Sequence, residues 1–226
     1  MNFYQEWQNS MYDIEKNREY TKRFLNKDIE SIEILNCGTV EELIDFCKFL
    51  LKIPINNFIF CIDEDRFCSS DMIVQYSNLN HAIIDVSRIL KFSDHAMTYT
   101  EIGMELIKAK EADACKKYGE NHSKLAKELS MVIFEKKHVT KIFNTAFGNF
   151  SVDLSKKDRI EIVKRLILRN DFIQKLIYLS KKGLVNYMDI ACETLSESTA
   201  KRRKSNVKQL IYLVLENHEL LNNIVW

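Results

Sequence analysis

A chain of 226 residues that is 46% hydrophobic can form one large domain, or two to three small ones, each with a real apolar core. One proline and five glycines leave few engineered turns, so long and mostly helical elements are expected. The net charge of +1 conceals a division: residues 1–90 hold 9 Lys and Arg against 15 Asp and Glu, whereas residues 91–226 hold 24 against 17.

An acidic first part joined to a basic second part suggests an assembly module attached to a nucleic-acid-facing one, or two surfaces of opposite sign that attract each other. No apolar run reaches membrane-spanning length, and the stretch from Met1 to Leu25 is too polar for a signal peptide. The expectation is a soluble, cytoplasmic protein without a membrane partner. The cysteines Cys37, Cys47, Cys61, Cys68, Cys115 and Cys192 form no Cys-x-x-Cys pair, which fits reduced thiols better than a disulfide framework or a zinc site. No metal ligand set and no cofactor are expected.

In chain order, Phe3, Trp7, Met11 and Ile14 recur at steps of three and four and predict one amphipathic helix over 3–25. Its aromatic residues suit docking onto a neighbour or a second subunit. Ser31 to Leu35 alternates like a short strand, Val40 to Lys52 is a helix, and Asn57 to Ile62 reads as a buried strand after Pro54. That β-α-β order predicts a small α/β module with parallel pairing. Asp63, Glu64 and Asp65 then follow a strand, where phosphoryl-transfer sites hold divalent metals. Asp63 and Asp65, with Asp71 in reach, are therefore candidate catalytic residues of a metal-dependent endonuclease using Mg²⁺. No Glu-x-Lys partner accompanies them, and the chain has neither a nucleophile elbow nor a phosphate-cradling glycine loop. An enzyme is read only under that alternative.

Helices are expected over 79–92, 98–106 and 108–118, with a break at Gly119-Glu120-Asn121 and Asn121 capping a helix that runs to Ser130. The β-type runs Met131–Phe134 and Val139–Phe143 flank Glu135-Lys136-Lys137-His138, a hairpin with a basic tip. Helix, helix, recognition-type helix and basic hairpin, in that order, describe a winged helix. Its DNA-facing candidates are Ser123, Lys124 and Lys127 on the helix, with Lys136, Lys137, His138 and Lys141 on the hairpin.

Residues 156–182 are helical with a short internal break, Gly183 stops them, and 188–195 forms a short helix. A tight Ser196-Glu197 turn follows, and Ser198 is expected to cap the final helix. On a wheel of about 100° per residue, Ala200, Val207, Leu210, Ile211 and Val214 share one apolar face. Arg203 lies at its edge, so its stem should pack and its guanidinium should bond neighbouring carbonyls. Arg202, Ser205 and Gln209 point away, with Lys201 and Lys208 beside them. Arg and Gln reach base edges, whereas Ser and Lys hold phosphate.

Met97 to Gly103, Leu125 to Leu129 and the hairpin with Thr145-Ala146-Phe147-Gly148-Asn149-Phe150 together resemble a tandem winged-helix DNA-binding segment of bacterial restriction-type and other defence-associated proteins. Thr145 to Gly148 is similar to the Leu-Thr-x-x-Gly turn that closes many winged helices, with Asn144 in the leucine position. Thr199 to Val207 resembles that group's Thr-x-x-Arg-Arg-x-Ser/Thr-x-Val stretch, with Leu210 where tryptophan often follows. The resemblance covers about residues 95–215. It implies a regulator or a DNA-specificity component of a restriction or antiviral defence system.

The sequence thus predicts a mainly α protein with small β content. Residues 1–78 form an N-terminal helix and α/β module, 79–155 a winged-helix-like unit, and 156–226 a second helix-turn-helix-like unit. The partners expected are double-stranded DNA and, through the N-terminal module, a second copy or another protein. A helical module that binds an acidic partner protein is the remaining alternative.

Overall fold

Buried side chains recur at steps of three and four along most of this chain, and the backbone follows that period. A computed structural model describes residues 3–108 and 111–226. It is mainly helical, and two short two-stranded sheets are its only sheets among the described residues. No described helix is long and apolar enough to cross a membrane. Two compact units are assembled from interleaved segments: Met1–Asp28, Phe49–Val74 and Lys164–Trp226 form the first, and Ile29–Lys48 with Gln75–Val163 the second. They do not follow the contiguous division into 1–78, 79–155 and 156–226.

The first unit begins with α1 (Phe3–Asn9) and α2 (Ile14–Leu25), two helices where one was expected. The Asp13 carboxylate accepts from the Lys16 amide at 3.1 Å and starts the second helix afresh. Trp7 is fully buried, with the rings of Phe3, Phe24, Phe49 and Phe58 at 5.7, 5.7, 5.0 and 6.1 Å. Phe58 lies on α5 (Ile55–Cys61), which is a helix and not the expected strand. Pro54 sits at its N-cap, and Phe58, Ile59 and Ile62 turn inward while Phe60 turns out, a spacing of three and four that alternation cannot produce.

Cations from later in the chain cap carbonyl ends of earlier elements in this unit. Arg165 donates to the Leu50 and Ile53 carbonyls, both at 2.7 Å, and Lys181 donates to those of Ile59 and Ile62, both at 2.6 Å. These carbonyls lie at or just beyond the C-terminal ends of α4 (Val40–Lys52) and α5, where helical backbone acceptors call for outside donors. Part of the basic excess of the second half is thus structural.

In the second unit the other expected strand is also a helix, α3 (Ile29–Cys37), burying Ser31, Ile34 and Leu35. With both expected strands replaced by helices, the described residues up to 78 form no parallel α/β module. Short apolar runs carry too few residues to separate a strand from a buried helix, and tertiary burial decides. A π-helical turn at His81–Asp85 leads into α6 (Val86–Lys91). Met97 forms an antiparallel bridge to Ile142, and α7 (Tyr99–Ile107) starts on a Thr98/Glu101 capping box.

The helix α8 (Ala112–Glu128) runs through Gly119 without the expected break, and Asn121 caps nothing; positions 109–110 of the helix expected over 108–118 lie outside the described residues. Gly119 belongs to an inward stripe with Cys115, His122 and Ala126. A Cβ at Gly103 would overlap the Cys115 carbonyl, and one at Gly119 that of Tyr99. These paired approaches, one turn apart on each helix, make α7 and α8 a close antiparallel hairpin. The expected strands follow as β1 (Val132–Lys136) and β2 (Thr140–Asn144), antiparallel with Phe134 opposite Ile142. Thr145 then caps α9 (Ala146–Ser151), its hydroxyl accepting from the Gly148 amide at 2.8 Å.

His122 pins the loop before the π-helical turn. Its Nδ1 donates to the Tyr118 carbonyl at 2.8 Å, and its Nε2 accepts from the Ser77 and Asn78 amides at 3.3 and 3.2 Å. A proton on Nε2 would face two donors. Burial and the nearby His81 lower its pKa below the ordinary 6.5. Above pH 6.5 the folded and unfolded chains both hold it neutral, and its contribution is complete. As pH falls below that value the unfolded chain takes the proton first, so stability declines. Urea unfolding at pH 7.5 and 5.5 should show a smaller pH-dependent loss for His122→Gln than for the unsubstituted protein, an equal loss removing this role.

Candidate nucleic-acid interface

The candidate helix belongs to the first unit. Asn170 caps α11 (Asp171–Lys182), which follows α10 (Lys156–Ile167), and Gly183 ends it as the sequence predicts. A short strand β3 (Val185–Asn186) leads into α12 (Tyr187–Cys192), a turn over 193–196, and α13 (Glu197–Val214). The fully buried Tyr187 donates its hydroxyl to the Ala200 carbonyl at 3.0 Å and fixes α12 against α13. Beyond α13, β4 (Ile224–Val225) pairs in parallel with β3, and Trp226 stacks on Tyr187 at 5.5 Å.

The cap of α13 is Ser196, two residues before the expected Ser198. Its side chain makes no bond to the backbone of the first turn; the hydroxyl instead donates to that of Thr199 at 3.0 Å. Glu197 therefore occupies the first turn, where an acid suits the helix dipole, and pairs with Lys201 at 2.6 Å. Hydrogen bonding within the pair lowers Glu197 and raises Lys201.

Ala200, Val207, Leu210, Ile211 and Val214 are buried, whereas Arg202, Ser205 and Gln209 are exposed together on the opposite face. Arg203 donates to the Ser70 and Ile73 carbonyls at 2.6 and 2.5 Å, as its edge position predicts. Lys208 rests over the rings of Tyr212 and Trp226 at 5.4 and 5.7 Å, which orients its ammonium beside the exposed face.

The second unit presents its candidates differently. Ser123 is fully buried on α8 and does not face outward as expected, because the buried face of this helix takes in His122, Ser123 and Ala126 as well as Leu125. Lys124 pairs with Glu120 at 2.6 Å, and Lys127 lies over the Phe134 ring at 5.2 Å. On the hairpin, Lys136 and His138 are exposed, Lys137 pairs with Glu135 at 2.6 Å, and Lys141 donates to the Ala96 carbonyl at 3.3 Å. Exposed pairs of this kind contribute about 0–1 kcal/mol, so phosphate can displace the carboxylates at little cost.

Asp63 follows a helix, not a strand, and is bound by Arg18 at 2.7 Å and Lys22 at 2.6 Å. Partial burial opposes its ionisation, but the hydrogen bonds from Lys22 and Arg18 outweigh this and hold its pKa below the usual value. Asp65 lies 3.9 Å from Lys175, which also pairs with Glu193 at 2.7 Å. Asp71 accepts from the Ser69 hydroxyl. The acids thus have separate polar partners, and no metal-binding cluster of His, Cys, Asp and Glu occurs among the described residues.

The sequence did not single out Arg165, Lys181 or Tyr187. Their signal is only that a base or a tyrosine falls on an otherwise apolar face, and the carbonyls they meet lie far away in sequence. No family model matches the chain, and neither a curated protein nor a solved structure is significantly similar to it.

Proposed function

We propose that this protein binds double-stranded DNA by placing α13 in a major groove, Arg202 and Gln209 reaching base edges and Lys201, Ser205 and Lys208 holding phosphates. The observation that carries this reading is the division of α13. Its apolar face is committed to the fold, and the opposite face groups Arg202, Ser205 and Gln209 on the second helix of a short helix–turn–helix. Arg203, tied to two carbonyls, is a support for that helix and not a reader.

A winged-helix reading of the second unit is supported by its order of α6, Met97 bridge, α7, α8 and hairpin, with Lys136 and Lys137 at the wing. The close α7–α8 hairpin makes it a variant of that plan. With the resemblance described above, the two units suit a regulator or the DNA-specificity component of a bacterial defence system.

Arg202→Ala should weaken duplex binding by about 1–3 kcal/mol and relax sequence preference at one position, whereas Lys201→Ala should weaken all duplexes alike and flatten the salt dependence. Fluorescence anisotropy across a salt series, with a randomised duplex pool for selection, measures both. Duplex affinity that is indifferent to salt and unchanged by Arg202→Ala would sink the proposal.

A further inference from the structure

The break between α1 and α2 leaves apolar side chains that the core of the first unit does not take up. Ile14 is 84% exposed, Phe60 66% and Tyr12 fully exposed, all large hydrophobic side chains. Ile14 and Phe60 flank a groove of about 550 Å³ between α2 and α5, whose apolar lining also includes Met11, Ile53 and Pro54. Its charged lining is Glu15 and Arg18, one helical turn apart on α2.

We infer that this groove is a self-association surface whose occupant is a second copy of the chain. An isologous contact needs one patch to carry both a cavity and the knob that fills it. Here Tyr12, in the turn before α2, and Ile14, the first residue of α2, project next to Met11 and Glu15 of the groove lining, and Ile14 itself lines the groove. The charges are complementary to themselves as well. Two α2 helices laid antiparallel about a two-fold axis near Lys16 and Asn17 bring Glu15 opposite the partner's Arg18, and Arg18 opposite the partner's Glu15. Glu15 is exposed and has no ion-pair partner among the described residues. Arg18 lies over Phe60 at 5.3 Å and bonds Asp63, which fixes its guanidinium at the groove edge with donors to spare. A foreign amphipathic helix would satisfy the apolar lining but has no reason to present both charges in reversed order.

This inference does not depend on DNA binding and is tested without DNA. Sedimentation equilibrium at micromolar concentration should give twice the chain mass of 26.7 kDa. Ile14→Glu puts an acid in the first turn of α2, where it favours the helix, and should yield a folded monomer. Glu15→Arg and Arg18→Glu should each weaken association at least tenfold. Mixing those two variants should restore it, because every facing pair is then opposite in sign. Unsubstituted protein at the monomer mass overturns the inference, as does Ile14→Glu at the dimer mass or a mixture no more associated than its components. A monomer that still binds duplex DNA would overturn self-association and leave the DNA reading standing.

Discussion

Trp7→Ala is expected to destabilise the first unit by about 3–5 kcal/mol, the range for removing a large aromatic side chain from a packed core. Trp7 is fully buried, and four aromatic rings stand within 6.1 Å of it. Those rings come from α1, α2, α4 and α5, so no single helix can close the void by sliding. Arg169 lies over Phe24 at 4.9 Å and Arg165 over Phe58 at 5.7 Å, and both charges depend on the ring positions. The loss is a large part of a total stability of about 5–15 kcal/mol. Urea unfolding followed by amide exchange gives the magnitude and its place. Protection should fall in α1, α2 and α5. A change under about 1 kcal/mol would mean that the cluster repacks freely, against the behaviour of dense cores.

Gly119→Ala and Gly103→Ala should each destabilise the second unit by about 1–3 kcal/mol, although alanine is the better helix former by about 1 kcal/mol. Sterics win because the obstacle is backbone. The new methyl would overlap the Tyr99 carbonyl in one case and the Cys115 carbonyl in the other, and neither can rotate away. The helices α7 and α8 must separate, and His122, one turn past Gly119, moves with them and loosens its hold on Ser77 and Asn78. Thermal unfolding of each variant decides the sign. A raised midpoint would show that helix propensity prevails and that the close approach carries no energy.

These two tests fall on features of different legibility. Trp7 is marked in the sequence by its step of four from Phe3, and its burial follows from that phase, whereas Met11 and Ile14, next on the expected stripe, are exposed. Gly119 is not marked. A glycine beside Glu120 and Asn121 has the composition of a helix break, and only the opposing backbone of α7 shows that it sits there to let two helices touch. Ser123 is not marked either: it sits beside His122 and Leu125 on a buried face that is broadened by what packs against α8.

The sequence by itself determined what depends on neighbours along the chain. The helix over Val40 to Lys52, the hairpin of Val132 to Asn144, the stop at Gly183 and the phase of α13 all rest on local periodicity and turn chemistry. The outward grouping of Arg202, Ser205 and Gln209 belongs here, as does the inward lean of Arg203. Tertiary structure decided what depends on distant atoms. The runs Ser31 to Leu35 and Asn57 to Ile62 are helices because burial on one stripe suits their surroundings, while five or six apolar residues fit either period. The basic excess of the second half looks alike in sequence throughout. Only the fold separates Arg165 and Lys181, spent on backbone carbonyls within the first unit, from Arg202, whose charge is left facing solvent. Position along a helix fixes which way a cation points. What it meets there is set by segments more than a hundred residues away.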